Sequence, residues 1–178
     1  YYNKPAENEK AFTEDGYFRT GDAGRMEGNT LFFTERIKDL YKTSNGKYIA
    51  PQAIEMVMSG DQYIEQIAVI GDQRKFVSAL IVPAYSLLEK YAEEKGLAVG
   101  SREELVRNKE VLRLIETHIE ENQKNLASYE KIKRFTLLSE PFTMGSELTD
   151  TLKLRRSVIL KKYADSIEKM YEEASNPS

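Results

Sequence analysis

Apolar residues return at helical spacing in three stretches of the chain. Val111, Ile115 and Ile119 share one face of a helix predicted over 110–126. Ile54, Val57 and Met58 do so in a helix opened by Pro51 and stopped near Gly60. Val158, Leu160, Ile167 and Met170 supply the packing face of one terminal helix over 154–173. Ser86 to Glu89 and Ser101 to Glu104 each have the form of a capping box, which predicts two further helix starts, and 6–12 reads as a short helical stretch. Between these, 63–70 and 76–82 are β-rich runs separated by Gly71-Asp72-Gln73-Arg74, predicting a central antiparallel pair. Residues 132–138 predict a returning strand and 140–150 a loop. The short runs 23–26 and 31–34 flank Glu27-Gly28-Asn29-Thr30 as a hairpin, and 39–42 and 47–49 flank the loop Thr43-Ser44-Asn45-Gly46. The resulting order is that of an α+β domain, a small mixed or antiparallel sheet covered by helices, preceded by a β-hairpin.

Composition narrows the class. Hydrophobic residues make up 40% and charged residues 31% of 178, a folded rather than disordered balance. The net charge of -3 gives no global field that draws nucleic acid. The charge is uneven, with eight basic and three acidic residues between Lys131 and Lys162, which suits either a phosphate-binding patch or a solvated helix face. The absence of cysteine excludes disulfides, thiolate metal sites and a cysteine nucleophile, and fits a reducing, cytoplasmic compartment. One histidine, His118, cannot build a multi-histidine metal centre, and its position predicts a helix-surface residue. The longest apolar run, 76–88, is too short to span a bilayer, which leaves only peripheral contact with a membrane surface.

The candidate chemistry starts at Gly16-Tyr17-Phe18-Arg19-Thr20-Gly21-Asp22. Gly21 permits a sharp turn, after which both oxygens of the Asp22 carboxylate can accept hydrogen bonds from two neighbouring hydroxyls, such as those of a ribose. The predicted hairpin brings Arg36 to the neighbouring strand end. The plainer reading is a glycine turn that opens a hairpin beside a solvated arginine.

These residues carry a resemblance. Tyr17 to Asp22, the run from Glu35-Arg36-Ile37-Lys38-Asp39 through Gly46-Lys47 to Glu55, and Glu147-Leu148-Thr149-Asp150-Thr151-Leu152-Lys153-Leu154-Arg155-Arg156 resemble three signatures of adenylate-forming enzymes, in the family's order. Their wording is similar to that of long-chain fatty-acid–coenzyme A ligases, and they span most of the chain.

The resemblance implies a mobile carboxy-terminal lid over 38–178 and, in 1–37, the tail of a large adenylate-forming domain. It implies that Asp22 and Arg36 bind nucleotide, that Lys153 is the catalytic lysine of adenylation, that Lys38 is a hinge, and that Gly46 and Lys47 belong to a loop beside the coenzyme A arm. ATP, coenzyme A and a fatty acid are the implied substrates, with Mg2+ bound mainly by a large domain. The opening Tyr1-Tyr2-Asn3-Lys4-Pro5 has no methionine and is similar to an internal phrase of the family, so the expectation is a carboxy-terminal piece of a longer ligase, inactive alone.

Two positions depart from the family pattern. Asp150 stands where proline is common, which predicts a looser loop before Lys153, and Glu35 stands where glycine or aspartate is usual. No glycine-rich phosphate loop occurs in the chain. Other branches of the superfamily, amino-acid adenylation domains or luciferase-like enzymes, remain alternatives, as does a non-catalytic binding module.

Overall fold

The computed structural model of the chain describes residues 9–172. The expected helix over 6–12 lies partly outside that range, and 9–11 are helical. The chain forms two compact units, one up to Tyr41 and the other from Lys42.

The smaller unit is built on a hairpin. Strands β1 (Asp22–Glu27) and β2 (Thr30–Arg36) pair antiparallel around Glu27↔Thr30, with an irregularity between Ala23 and Gly24. Gly28 turns the chain at a φ of 61°, in the left-handed region where only glycine is unstrained. After β2 comes a 3-10 turn, Ile37–Asp39, flanked by extended residues and burying none of its own.

The larger unit has its core around a three-stranded sheet. The short strands β3 (Tyr41–Lys42) and β4 (Tyr48–Ile49) lead into helix α1 (Pro51–Met58), whose Pro51, Ile54 and Met58 are buried. Val57, expected on that face, is 38% exposed, because the packed row of this short helix runs through Ile54 and Met58. Strands β5 (Ile64–Ile70) and β6 (Val77–Pro83) form the predicted antiparallel pair, and β7 (Ile132–Leu137) runs parallel to β6 on its other side. Every residue of β6 is buried, so the apolar run 76–88 is the central strand with the start of the next helix. A strand covered on both faces has no reason to alternate with polar residues.

A parallel neighbour requires a crossover, and the helices provide it. α2 (Tyr85–Glu94), α3 (Arg102–Leu105) and α4 (Lys109–Asn122) connect β6 to β7. The capping box expected at Ser86 does not form: the cap lies two residues earlier, at Ala84, and has no side-chain hydrogen bond. At Ser101 the cap does form, with Ser101 Oγ accepting the Glu104 N–H at 3.3 Å and the Glu104 carboxylate accepting the Gly100 N–H at 2.7 Å. α4 is opened by Asn108, whose Oδ1 accepts the Glu110 N–H at 2.9 Å, and it buries Val111, Ile115 and Ile119.

His118 is not a surface residue of α4. Its Nδ1 lies 2.7 Å from Asp61 Oδ2, and its ring meets Tyr63 edge-on at 4.8 Å, so it joins α4 to the turn after α1. Burial alone would raise the Asp61 carboxyl, but hydrogen bonds from the Tyr63 N–H, His118 and Asn122 outweigh it and hold the group below its usual value.

The terminal helix is two helices, α5 (Arg156–Lys162) and α6 (Ala164–Glu172), separated at Tyr163. The break changes which residues pack: Ile159, Ile167 and Met170 are buried, while Leu160 is 42% exposed. A single uninterrupted period over 154–173 assigns the first turns to the wrong face. The whole is an α+β fold with a small mixed sheet covered by helices.

Candidate functional site

In the smaller unit, Asp22 and Arg36 are directly opposite each other on β1 and β2. Arg36 Nε lies 3.4 Å from Asp22 Oδ1, and both side chains are partly exposed. Gly21 carries a φ of 76°, its carbonyl accepts the Ile37 N–H at 2.8 Å, and Thr20 Oγ1 accepts the Asp22 N–H at 3.1 Å. The glycine turn and the strand register together present a carboxylate beside a guanidinium at one end of the hairpin. Lys38 follows, exposed, in the 3-10 turn.

In the larger unit, Gly46 sits at a φ of 75° with open space where a Cβ would project. Glycine is required there by the backbone, not by crowding. The loop closes on itself: Gly46 N–H donates to Thr43 O at 2.9 Å, Thr43 N–H to Lys47 O at 2.9 Å, and Lys47 N–H to Thr43 Oγ1 at 3.1 Å. The Lys47 ammonium lies 5.7 Å over the Tyr129 ring.

Lys153 is exposed on a turn organised by Thr149. Thr149 Oγ1 accepts the Lys153 N–H at 3.1 Å, Thr149 N–H donates to Lys153 O at 2.9 Å, and Leu152 N–H donates to Thr149 O at 2.9 Å. Leu152 adopts a φ of 60°, strained for a side chain with a Cβ, and is held there by these bonds. Asp150 lies within the same turn and does not open it, contrary to the looser loop its presence suggests.

Beneath this loop lies a buried carboxylate that sequence reasoning did not single out. Glu147 is fully buried; its Oε1 pairs with the Lys162 ammonium and lies 3.3 Å from the Tyr163 hydroxyl, and its Oε2 accepts the Thr143 N–H at 3.1 Å. Burial would raise its carboxyl, but hydrogen bonds led by those from Lys162 and the Thr143 N–H dominate and pull it down to about 2. Arg155 N–H donates to Glu147 O at 2.7 Å, and its guanidinium reaches Gly145 O and Ser146 O.

The basic stretch 131–162 is thereby divided. Arg156 pairs with Glu55, Lys162 with Glu147, and Arg155 with carbonyls, so these three cations hold the fold together. Lys133, Arg134, Lys153 and Lys161 are exposed and belong to none of these three anchors. No local signal marks the Arg156–Glu55 pair, since Glu55 lies 101 positions from Arg156.

Among the described residues no three His, Cys, Asp or Glu side chains gather as a metal site, and no helix is long and apolar enough to cross a membrane.

Comparison with known proteins places this geometry. The family model of the AMP-binding enzyme C-terminal domain matches residues 38–175. Long-chain-fatty-acid–CoA ligase 5 of Mus musculus is 34% identical over 177 residues, covering 97% of this chain and 26% of the relative. Long-chain-fatty-acid–CoA ligase 1 of Homo sapiens is 32% identical over 176 residues, covering 96% and 25%. The chain thus spans about a quarter of the length of these relatives. Among solved structures, the adenylation domain of a carboxylate reductase from Mycobacterium chelonae superposes with a TM-score of 0.74 at 29% identity, covering 97% of this chain and 26% of that one. The corresponding domain from Segniliparus rugosus, in complex with AMP and a carboxylic acid, gives 0.73 at 25% identity, covering 98% and 26%.

Proposed function

The chain belongs to the AMP-binding enzyme C-terminal domain family, and on that premise we propose that it is the lid-bearing end of an ATP-dependent long-chain fatty-acid–coenzyme A ligase. Residues 38–178 are the lid and 1–37 the tail of the large domain.

In the first half-reaction a fatty-acid carboxylate oxygen attacks the α-phosphorus of ATP. A new P–O bond forms, the bond to the bridging oxygen breaks, and pyrophosphate leaves. The Lys153 ammonium, a compact charge, stabilises the developing negative charge by bridging carboxylate and phosphate oxygens. The Asp22 carboxylate accepts hydrogen bonds from the ribose hydroxyls, with Arg36 beside it. In the second half-reaction the lid turns at Lys38 and the Gly46 loop replaces Lys153. The coenzyme A sulfur, having lost its proton, attacks the acyl carbon and AMP departs. Lys47 adds a cation at that loop.

Mg2+, when bound, would shield the phosphate charge. The described residues of this chain gather no ligand set for it. The chain also lacks a phosphate loop, so it is not expected to turn over by itself.

The observation that supports the reading is Lys153, exposed on a hydrogen-bonded turn, at the position where the resemblance implies a catalytic lysine. Pyrophosphate release by the intact enzyme, measured with fatty acids of graded length, tests it. Release that depends on a long-chain acid, followed by acyl–coenzyme A formation, is expected. The superposition on carboxylate reductase adenylation domains favours a second reading, another adenylate-forming branch. In that case carboxylic acid would drive pyrophosphate release with no acyl–coenzyme A formed.

A further inference from the structure

The turn between β5 and β6 does more than reverse the chain. It is closed by the Arg74 N–H donating to Gly71 O at 3.1 Å, and Gln73 adopts a φ of 56°, a conformation that costs a residue with a side chain. A set of hydrogen bonds links this turn to the loop that carries Gly46. Asp72 Oδ1 accepts the Lys42 N–H at 3.1 Å. Gln73 N–H donates to Lys42 O at 2.8 Å, and its Nε2 lies 3.4 Å from the same oxygen. Ser44 N–H donates to Arg74 O at 2.9 Å, and Asn45 Nδ2 to Lys75 O at 3.3 Å.

The turn is itself anchored from behind. Arg74 Nη1 lies 2.9 Å from Glu168 Oε2 on α6, and its guanidinium stacks 4.8 Å from the Tyr171 ring. The Tyr171 hydroxyl donates to Phe76 O at 3.0 Å and lies 2.9 Å from Ser78 Oγ. Loop, turn and terminal helix therefore form one connected unit. Thr43 bonds only close the loop upon itself, whereas the turn fixes where the closed loop points.

We propose that Asp72 and Gln73 are positioning residues for thioester formation, holding the base of the Gly46 loop through their bonds to Lys42, while the Arg74 and Lys75 carbonyls hold Ser44 and Asn45 and the Arg74 side chain links that support to α6. This rests on the assignment of the Gly46 loop to the coenzyme A step. A loop that must receive a flexible pantetheine arm gains from being ordered beforehand, since small misplacement of a reacting group lowers rate steeply.

The test measures two half-reactions in the full-length enzyme that carries this chain: pyrophosphate release, and acyl–coenzyme A formation from supplied acyl-adenylate. Amide hydrogen exchange at Lys42 and Ser44 is followed in the same variants. Asp72→Ala should speed exchange at Lys42 and slow thioester formation roughly ten- to a hundredfold, with pyrophosphate release within about twofold of wild type. Asp72→Asn, which keeps an accepting oxygen, should restore both. Lys75→Ala, which removes a side chain but not the carbonyl that Asn45 uses, should change neither. The proposal is overturned if Asp72→Ala leaves exchange unaltered, leaves thioester formation normal, or lowers both half-reactions equally. Gly46→Ala separates the two ideas. If it slows thioester formation while Asp72→Ala does not, only the positioning role fails; if it leaves thioester formation intact, the assignment of the loop fails and takes the positioning role with it.

Discussion

Arg156 holds Glu55 with both terminal guanidinium nitrogens, Nη1 on Oε1 at 2.9 Å and Nη2 on Oε2 at 2.8 Å. Glu55 Oε1 also accepts the Val69 N–H at 2.8 Å, so one carboxylate ties α5, α1 and β5 together. Lysine would keep the charge but lose the fork. Arg156→Lys should therefore destabilise the larger unit by about 1–3 kcal/mol, read as a lower urea midpoint with an unchanged slope. A midpoint equal to wild type would show that the second arm contributes nothing.

Glu147 predicts the acid limb of stability. Its carboxyl titrates near 2 in the fold against an ordinary 4.5, so the fold favours the ionised form. That stabilisation is complete above 4.5 and is lost as pH falls from there through 2. The shift corresponds to at most about 3 kcal/mol, less because Lys162 is half exposed and screened by water. Thermal unfolding followed from neutral pH into this acid window should show a slope that Glu147→Gln flattens. An unchanged slope in that variant would assign the acid sensitivity elsewhere, to groups such as Asp61 and Glu168 that are also held below their usual values.

Lys153 is exposed and, among the described residues, its side chain has no hydrogen-bond or ion-pair partner, so its removal should cost activity without stability. Lys153→Ala in the full-length enzyme should lower the rate of acyl-adenylate formation by roughly a hundredfold or more. Thioester formation from supplied acyl-adenylate should stay near wild type. Equal losses in both half-reactions would refute the division of labour.

Thr149 holds the Lys153 turn at three points, through its hydroxyl, its N–H and its carbonyl. Thr149→Val removes the hydroxyl's bonds to the Lys153 N–H and the Thr151 hydroxyl, keeps the backbone bonds, and should slow adenylation about tenfold while leaving the KM for ATP nearly unchanged. Thr149→Ser should recover the rate. Failure of serine to rescue would point to the methyl group instead.

Lys38 lies in a 3-10 turn with extended residues on both sides and nothing buried, a segment with little packing to resist rotation. Lys38→Pro fixes φ there. Adenylation should survive, and thioester formation should fall. Normal thioester formation would place the hinge elsewhere.

Much of the larger unit's fold is legible in the sequence. Strands β5 and β6 follow from dense apolar, β-branched runs on either side of Gly71-Asp72-Gln73-Arg74, and α4 from Val111, Ile115 and Ile119 at helical spacing. Errors fall where a local pattern had to choose between equal options. Ser86-x-x-Glu89 satisfies the capping formula, but Tyr85 is buried and its hydroxyl donates to Leu138 O at 2.8 Å, so tertiary packing draws the helix start back by two residues. The period over 154–173 does not reveal the break at Tyr163, whose hydroxyl lies at the buried Glu147.

The site divides in the same way. Gly21, Asp22, Gly46 and Lys153 are visible as a turn glycine beside a carboxylate, a loop glycine and a lysine on a polar loop, because backbone conformation and exposure are local properties. Arg36 beside Asp22 is legible too, because the register of a hairpin is local, but the distant partners are not. Whether His118 faces water or Asp61, and whether Arg156 joins a basic patch or clasps Glu55, depends on which distant segments the sheet brings together. Local periodicity and turn chemistry determine the elements and where a reactive group can be displayed. Only the tertiary structure decides which charges are neutralised and which loops are braced, since a buried ion pair or a turn-to-loop hydrogen bond forms between residues whose separation along the chain bears no relation to their distance in space.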